Sequence, residues 1–157
     1  MKKNKYITFI IAGVVWCLDQ ITKWIVIRHL EPYKEKIKIG PLLNIIHIRN
    51  SGIAFGLWAG GNSGKQIFFI IFTLVAIMAI LYYLYRETRL TLPKTWGCGL
   101  IIGGALGNLA DRIIYGNVID FIDCHLGGYH WPAFNIADSA VTIGTILLFF
   151  QIYQERR

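Results

Sequence analysis

From Gln66 to Tyr85 the chain carries no charged side chain and almost no polar one. A run of that length crosses a hydrocarbon layer of about 30 Å. Inside such a layer every backbone N–H and C=O must find its partner within the segment or in a closed barrel, so the run reads as a membrane-spanning helix. Three more stretches qualify on the same ground: Tyr6–Ile27, Thr95–Tyr115 and Ala133–Tyr153. The expected fold is therefore mainly α, a polytopic membrane protein with four transmembrane helices. Residues 1–157 form a single membrane-embedded domain in this reading. Composition agrees: 55% of residues are hydrophobic, more than a soluble core of this size needs.

The basic residues stand in short clusters outside the apolar runs, for a net charge of +7. That pattern orients a chain in an anionic membrane and argues against nucleic-acid binding. Four spans put both termini on one side, together with Lys2, Lys3, Lys5, Arg86, Arg89, Lys94, Arg156 and Arg157. The positive-inside rule makes that side cytoplasmic. Six basic residues between Arg28 and Lys65 run against the rule, and a folded surface element there accounts for them. Ile37-Lys-Ile alternates and Leu42–Arg49 is β-branched, so a small extracytoplasmic β-sheet is expected between helices 1 and 2. Asn50-Ser-Gly52 reads as a turn leading into a further strand-like stretch, Ile53-Ala-Phe-Gly.

Polar residues inside the spans carry more information, because an ionisable group in hydrocarbon is costly and rarely idle. Asp19 and Lys23 are four apart on one helical face and can pair. In the third span Gly99, Gly103 and Gly107 recur every four residues with Gly104 beside them, clearing a face for a neighbouring backbone. That face ends in Asn108, Asp111 and Arg112, where an Asp111–Arg112 helix-end ion pair is the plain alternative. Asp120 and Asp138 flank the link between spans three and four. Asn135, Asp138 and Ser139 lie at the start of the fourth span, where an N-cap is the ordinary role. At 1.5 Å per residue Asp19 lies roughly 18 Å and Asp111 roughly 24 Å along their helices. The aspartates thus gather near one interface, and the glutamates sit in the links and tail.

Two carboxylates sharing one proton can split an amide: the ionised one takes a proton from water while the protonated one polarises the carbonyl. Asp120 and Asp138 are the candidates, Asp138 being the better ionised member at a helix N-terminus, with Asp123 the competitor for Asp120. Ser51, Ser63 and Ser139 lack a Lys or His at helical spacing, which removes a serine nucleophile. His125 and His130 are too few for a zinc site, and Cys17, Cys98 and Cys124 form no CxxC and fit apolar packing. No metal and no cofactor is expected. A small proton- or cation-conducting protein would spread its carboxylates through the membrane's depth, and a structural subunit would need no carboxylate pair.

Five motifs, Asp19-Gln-Ile-Thr-Lys23, Asn50-Ser-Gly-Ile-Ala-Phe55, Gly103-Gly-Ala-Leu-Gly-Asn-Leu-Ala-Asp-Arg112, Val118-Ile-Asp-Phe121 and Phe134-Asn-Ile-Ala-Asp-Ser139, resemble those of the bacterial lipoprotein signal peptidases (signal peptidase II). The resemblance covers nearly the whole chain. It implies Asp120 and Asp138 as the catalytic pair and settles the choice against Asp123. It implies supporting roles for Asp19, Lys23, Asn50, Gly52, Gly104, Asn108, Asp111, Arg112 and Asn135. Ile53 stands where members often have alanine. The implied activity is an intramembrane aspartic endopeptidase of the bacterial inner membrane, working near its outer face; a monomer is the default expectation and is not implied by the motifs. The implied partners are membrane lipid and a prolipoprotein substrate with a diacylglyceryl cysteine, cut on the amino side of that cysteine.

Overall fold

A computed structural model describes residues 2–52 and 62–157, with side chains over 4–52 and 64–157. Four long helices run through it: α1 (Lys2–His29), α2 (Asn62–Arg86), α3 (Leu92–Tyr115) and α4 (Ile136–Glu155). Each contains a segment long and apolar enough to cross a membrane, over Asn4–His29, Gly64–Arg86, Leu92–Tyr115 and Ile136–Glu155. Their outward faces are greasy: Phe72, Met78 and Phe149 are 62%, 64% and 74% exposed. A water-soluble protein does not present apolar belts of that extent, whereas a bilayer covers them. The chain is a multi-pass membrane protein. The four spans match the expected ones within a few residues at each end, and the strand-like stretch after Gly52 lies outside the described residues.

Among the described residues, four strands make one antiparallel sheet in the order β1-β2-β3-β4: β1 (Lys36–Lys38), β2 (Leu43–Asn50), β3 (Val118–Leu126) and β4 (Tyr129–His130). The first two lie between α1 and α2, as expected. The other two come from the link between α3 and α4, which sequence reading left without regular structure. β3 was hidden because it does not alternate. Val118, Ile119, Asp120 and Phe121 are buried in succession, a pattern that belongs to a strand covered on both faces. Its register sets Ile48 opposite Asp120 and Asn50 opposite Val118. Val26 and Leu30 at the end of α1 pack with Ile119 and Phe121, which fixes the sheet to the helices.

α3 lies at the centre and packs against α1, α2 and α4. Its glycines divide between two faces. Cβ atoms on Gly99 and Gly103 would meet main-chain oxygens of α1, those of Thr8 and Ala12, at 2.8 and 2.6 Å. On the other face a Cβ on Gly104 would run into the carbonyl oxygen of Ala137 on α4. Close backbone approach without side chains between is how small residues pack spanning helices. The glycine repeat read from sequence thus serves two partners. Cys98 is buried as expected, but Cys17 is exposed on the lipid-facing side of α1, Cys124 is half-buried, and all three thiols are free.

The contact at Gly104 cannot relax by a rotamer change, because the obstacle is backbone. Gly104→Ala is therefore expected to cost about 1–3 kcal/mol in thermal unfolding in detergent. The control is Gly13→Ala, where the added methyl meets nothing within 4 Å. Equal midpoints for the two variants would contradict this packing.

Candidate active site

Four elements deliver the polar residues to one place. α1 supplies Asp19, Gln20 and Lys23, and β2 ends in Asn50. α3 supplies Asn108, Asp111 and Arg112 just beyond its glycines. β3 carries Asp120, and the start of α4 carries Asn135 and Asp138. Asp19, Lys23, Asp111, Asp120 and Asn135 are all at most 2% exposed. Burying so many polar groups is tolerable only if they satisfy one another.

They do. Lys23 Nζ lies 2.8 Å from Asp19 Oδ2 and 2.8 Å from Asp111 Oδ2, and donates to Asn108 Oδ1 at 3.0 Å. Asp19 also accepts the backbone N–H of Ala137 at 2.9 Å, in the first turn of α4. Asp111 accepts the N–H of Ile119 at 3.0 Å, at the start of β3. The ion cluster therefore pins both segments that carry the dyad candidates. Asp111 pairs with Lys23, and the alternative of an Asp111–Arg112 helix-end pair is not what the fold uses. Arg112 donates to Asn108 O at 3.2 Å and sits 5.2 Å over the ring of Phe69 on α2. The sequence reading passed over Gln20, whose amide donates to Asp19, Asp111 and the carbonyl of Gly107 at 3.1–3.2 Å. Its place beside Asp19 in a spanning segment was the signal.

Asp120 and Asp138 meet across two asparagines. Asp120 accepts Nδ2 of Asn50 at 2.8 Å and Nδ2 of Asn135 at 2.8 Å. Asp138 accepts Nδ2 of Asn108 at 2.7 Å and the backbone N–H of Asn135 at 3.2 Å. The N-cap of α4 is Asn135, not Asp138: its side chain takes the N–H of Asp138 at 2.8 Å, and Asp138 returns the bond as a capping box. Asn50 is itself held by a turn, its Oδ1 accepting the N–H of Gly52 at 2.8 Å. Gly52 has φ +81°, and a Cβ there would run into the ring of Phe69, so glycine is required on both counts. Gly104 stands one helical turn before Asn108 and sets the α3–α4 spacing that lets the two asparagines touch, Asn135 Nδ2 to Asn108 Oδ1 at 3.1 Å.

Asp123 is elsewhere. Three residues along a strand put it on the opposite face from Asp120. There it accepts Asn44 Nδ2 at 2.7 Å and contacts His130 Nδ1 at 2.7 Å. Burial pushes its carboxyl up, but the bonds from Asn44 and His130 outweigh this and hold it below the ordinary range. Asp120 goes the other way. Burial, with the charge of Asp138 adding to it, pushes its carboxyl up from 3.8 to about 6, against the opposing bonds from Asn50 and Asn135 and the charge of Lys23. One buried carboxyl that keeps its proton toward neutrality, coupled to a second carboxylate at a helix N-terminus, can act as acid and base on one substrate.

Among the described residues, two apolar grooves reach Asp138. One, of about 350 Å³, runs between α2, α3 and α4 and is lined by Phe69, Phe72, Ile101, Val141 and, at its polar end, Asn108 and Arg112. The other, of about 460 Å³, lies beneath Trp131, Pro132 and Phe134. Among the described residues no cluster of three or more His, Cys, Asp or Glu side chains is placed to hold a metal ion.

This fold, a four-helix membrane body with a small sheet, is similar to solved bacterial membrane enzymes determined by the in meso method. One aligns with a TM-score of 0.83 at 37% identity, over 95% of this chain and 88% of that one. A second gives 0.82 at 37% identity, over 92% and 91%. The family model described as signal peptidase (SPase) II matches residues 11–154. The lipoprotein signal peptidase of Syntrophus aciditrophicus is 42% identical over all of this chain and 98% of its own length. That of Thermodesulfovibrio yellowstonii is 43% identical over 96% and 97%. The chain belongs to the signal peptidase II family and is a peptidase.

The raised Asp120 carboxyl makes stability depend on pH in a defined sense. The folded protein keeps this proton where the unfolded chain, at 3.8, has lost it. Its stabilising contribution is complete below pH 3.8 and is lost as pH rises through about 6. The thermal midpoint in detergent is expected to fall from about pH 5 to about pH 7, and the fall to flatten in Asp120→Asn. An unchanged slope in that variant would contradict the assignment.

Proposed function

We propose that the protein is an intramembrane aspartic endopeptidase that removes signal peptides from diacylglyceryl-modified bacterial prolipoproteins. Asp120 and Asp138 form its catalytic pair. The observation that carries this reading is the joining of these two carboxylates, from different elements, through the amides of Asn108 and Asn135 at the end of an apolar groove.

The environments of the two groups support the following reaction. Asp120 donates its proton to the scissile carbonyl oxygen while Asp138 accepts one from the attacking water. Water oxygen bonds to the carbonyl carbon, giving a gem-diol. The proton held by Asp138 passes to the departing nitrogen, the C–N bond breaks, and Asp120 recovers its proton from the collapsing diol. No metal or other cofactor takes part. The groove between α2, α3 and α4 suits an apolar signal peptide or acyl chain, since its walls are Phe69, Phe72, Ile101 and Val141. Cleavage on the amino side of the lipidated cysteine leaves the acyl chains in the bilayer and the new amino terminus at its surface. The distribution of Lys and Arg supports cytoplasmic termini in the bacterial inner membrane, with the pair near the outer face. Membrane lipid and the prolipoprotein are the partners, nucleic acid is not one, and the working unit is a monomer.

The test is cleavage of a purified diacylglyceryl prolipoprotein in detergent. Asp120→Asn and Asp138→Asn are each expected to lose roughly 10²–10⁴ in rate, and Asp123→Asn to stay close to wild type. An inactive Asp123→Asn beside an active Asp120→Asn would reverse the assignment.

A further inference from the structure

An ammonium group has three N–H donors, and those of Lys23 each have an acceptor. Two are the carboxylates of Asp19 and Asp111 at 2.8 Å. The third is different in kind: the neutral amide oxygen of Asn108 at 3.0 Å. An asparagine amide has a donor end and an acceptor end of nearly equal size, so its neighbours decide which way it points. At Asn108 the oxygen faces two groups that can only donate, Lys23 Nζ and Asn135 Nδ2 at 3.1 Å. The nitrogen faces a group that accepts, Asp138 Oδ1 at 2.7 Å. Rotating the amide by half a turn would set NH2 against the ammonium and against a second NH2, and the carbonyl oxygen against a carboxylate. All three contacts would become repulsive together.

Lys23 is the stronger of the two restraints on the oxygen. Its bond is charge-assisted, roughly twice the strength of a neutral one. Asn135 Nδ2 is divided among three acceptors: Asp120 Oδ1 at 2.8 Å, Asn108 Oδ1 at 3.1 Å and the carbonyl of Ile119 at 3.2 Å. With two hydrogens for three acceptors, it holds Asn108 only in part. We infer that Lys23 is a positioning residue for the catalytic pair, acting on Asp138 through the amide of Asn108. It touches neither aspartate of the pair. Resting on the peptidase reading above, this gives the buried ion cluster a part in the reaction beyond holding helices together.

Lys23→Met alone would leave two buried carboxylates without a cation, so the substitution is made together with Asp19→Asn, which keeps the net charge of the cluster. Prolipoprotein cleavage is compared for Asp19→Asn, Asp19→Asn/Lys23→Met, Asn108→Ala and the triple variant. Adding Lys23→Met to Asp19→Asn should lower kcat roughly ten- to a hundredfold with KM within about twofold. Adding the Asp19 and Lys23 changes to Asn108→Ala should lower kcat no further than Asp19→Asn alone accounts for, because the relay is already cut. A kcat loss of the full size in the Asn108→Ala background, or a loss carried by KM, overturns the proposal. Side-chain amide NMR of Asn108 in detergent gives a reading that needs no substrate. One sharp NH2 pair is expected in wild type and in Asp19→Asn, and a doubled or exchange-broadened pair once Lys23 is Met. A single unshifted pair in both overturns the proposal even if wild type cleaves no prolipoprotein, an outcome that would instead defeat the peptidase reading.

Discussion

The ammonium of Lys23, enclosed by Asp19 and Asp111 with the amide of Gln20 closing the ring, is the contact on which the rest of the structure depends. Three ionisable groups buried to this degree would be prohibitively costly singly, and breaking such a cluster by removing one partner typically costs 3–5 kcal/mol. What makes it tolerable is that each carboxylate has a further duty. Asp19 takes an N–H at the head of α4, and Asp111 takes one at the start of β3. The cluster replaces hydrogen bonds that these two segment ends would otherwise lack in a water-poor place. Asp120 and Asp138 lie within two residues of those anchored amides, so their separation is fixed by charge pairing and not by loop conformation.

The glycines of α3 make the cluster possible. Gly103 brings α1 close enough for Lys23 to reach Asp111, and Gly104 brings α4 close enough for Asn135 to reach Asn108. A Cβ on Gly107 would collide with the carboxylate of Asp19 itself. At the opposite end of the helices a second buried cation, Lys94, pairs with Glu87 at 3.1 Å and Glu155 at 2.9 Å. The helix body is thus tied at both ends by lysines and left apolar between. One side of α4 opens into the groove lined by α2 and α3, which puts the carboxylate of Asp138 at the meeting of polar cluster and lipid-like surface.

What could be read from sequence divides by range. Spans announce themselves because their apolar runs are long. The Asp19–Lys23 pair is local, four residues on one helix, and was legible. Its extension to Asp111 was not, since it depends on how closely α1 and α3 approach. The strands Ile37-Lys-Ile and Leu42–Arg49 were visible by alternation and β-branching, whereas Val118–Leu126 was not, being covered on both faces and carrying two aspartates. Family motifs pointed to Asp120 over Asp123; the residue types alone left both open. The sheet supplies the physical difference between them: one carboxyl faces Asn50 and Asn135, and the other faces Asn44 and His130. At the start of α4 Asn135 and Asp138 each suit an N-cap by residue type, and only the fold shows that Asn135 takes it, with Asp138 as its partner in the capping box. Gln20 went unnoticed since an amide draws less attention than a charge.

The most direct measurement is a structure of the protein with a diacylglyceryl lipopeptide in which a hydroxyl-bearing carbon replaces the scissile carbonyl. Such a group mimics the gem-diol that two carboxyls sharing a proton would hold. Catalysis by this pair requires its oxygen within hydrogen-bond reach, about 3 Å, of both Asp120 and Asp138, with the apolar part of the ligand in the groove between α2, α3 and α4. A hydroxyl resting against Asp123 and His130, or touching only one carboxyl of the pair, would contradict it.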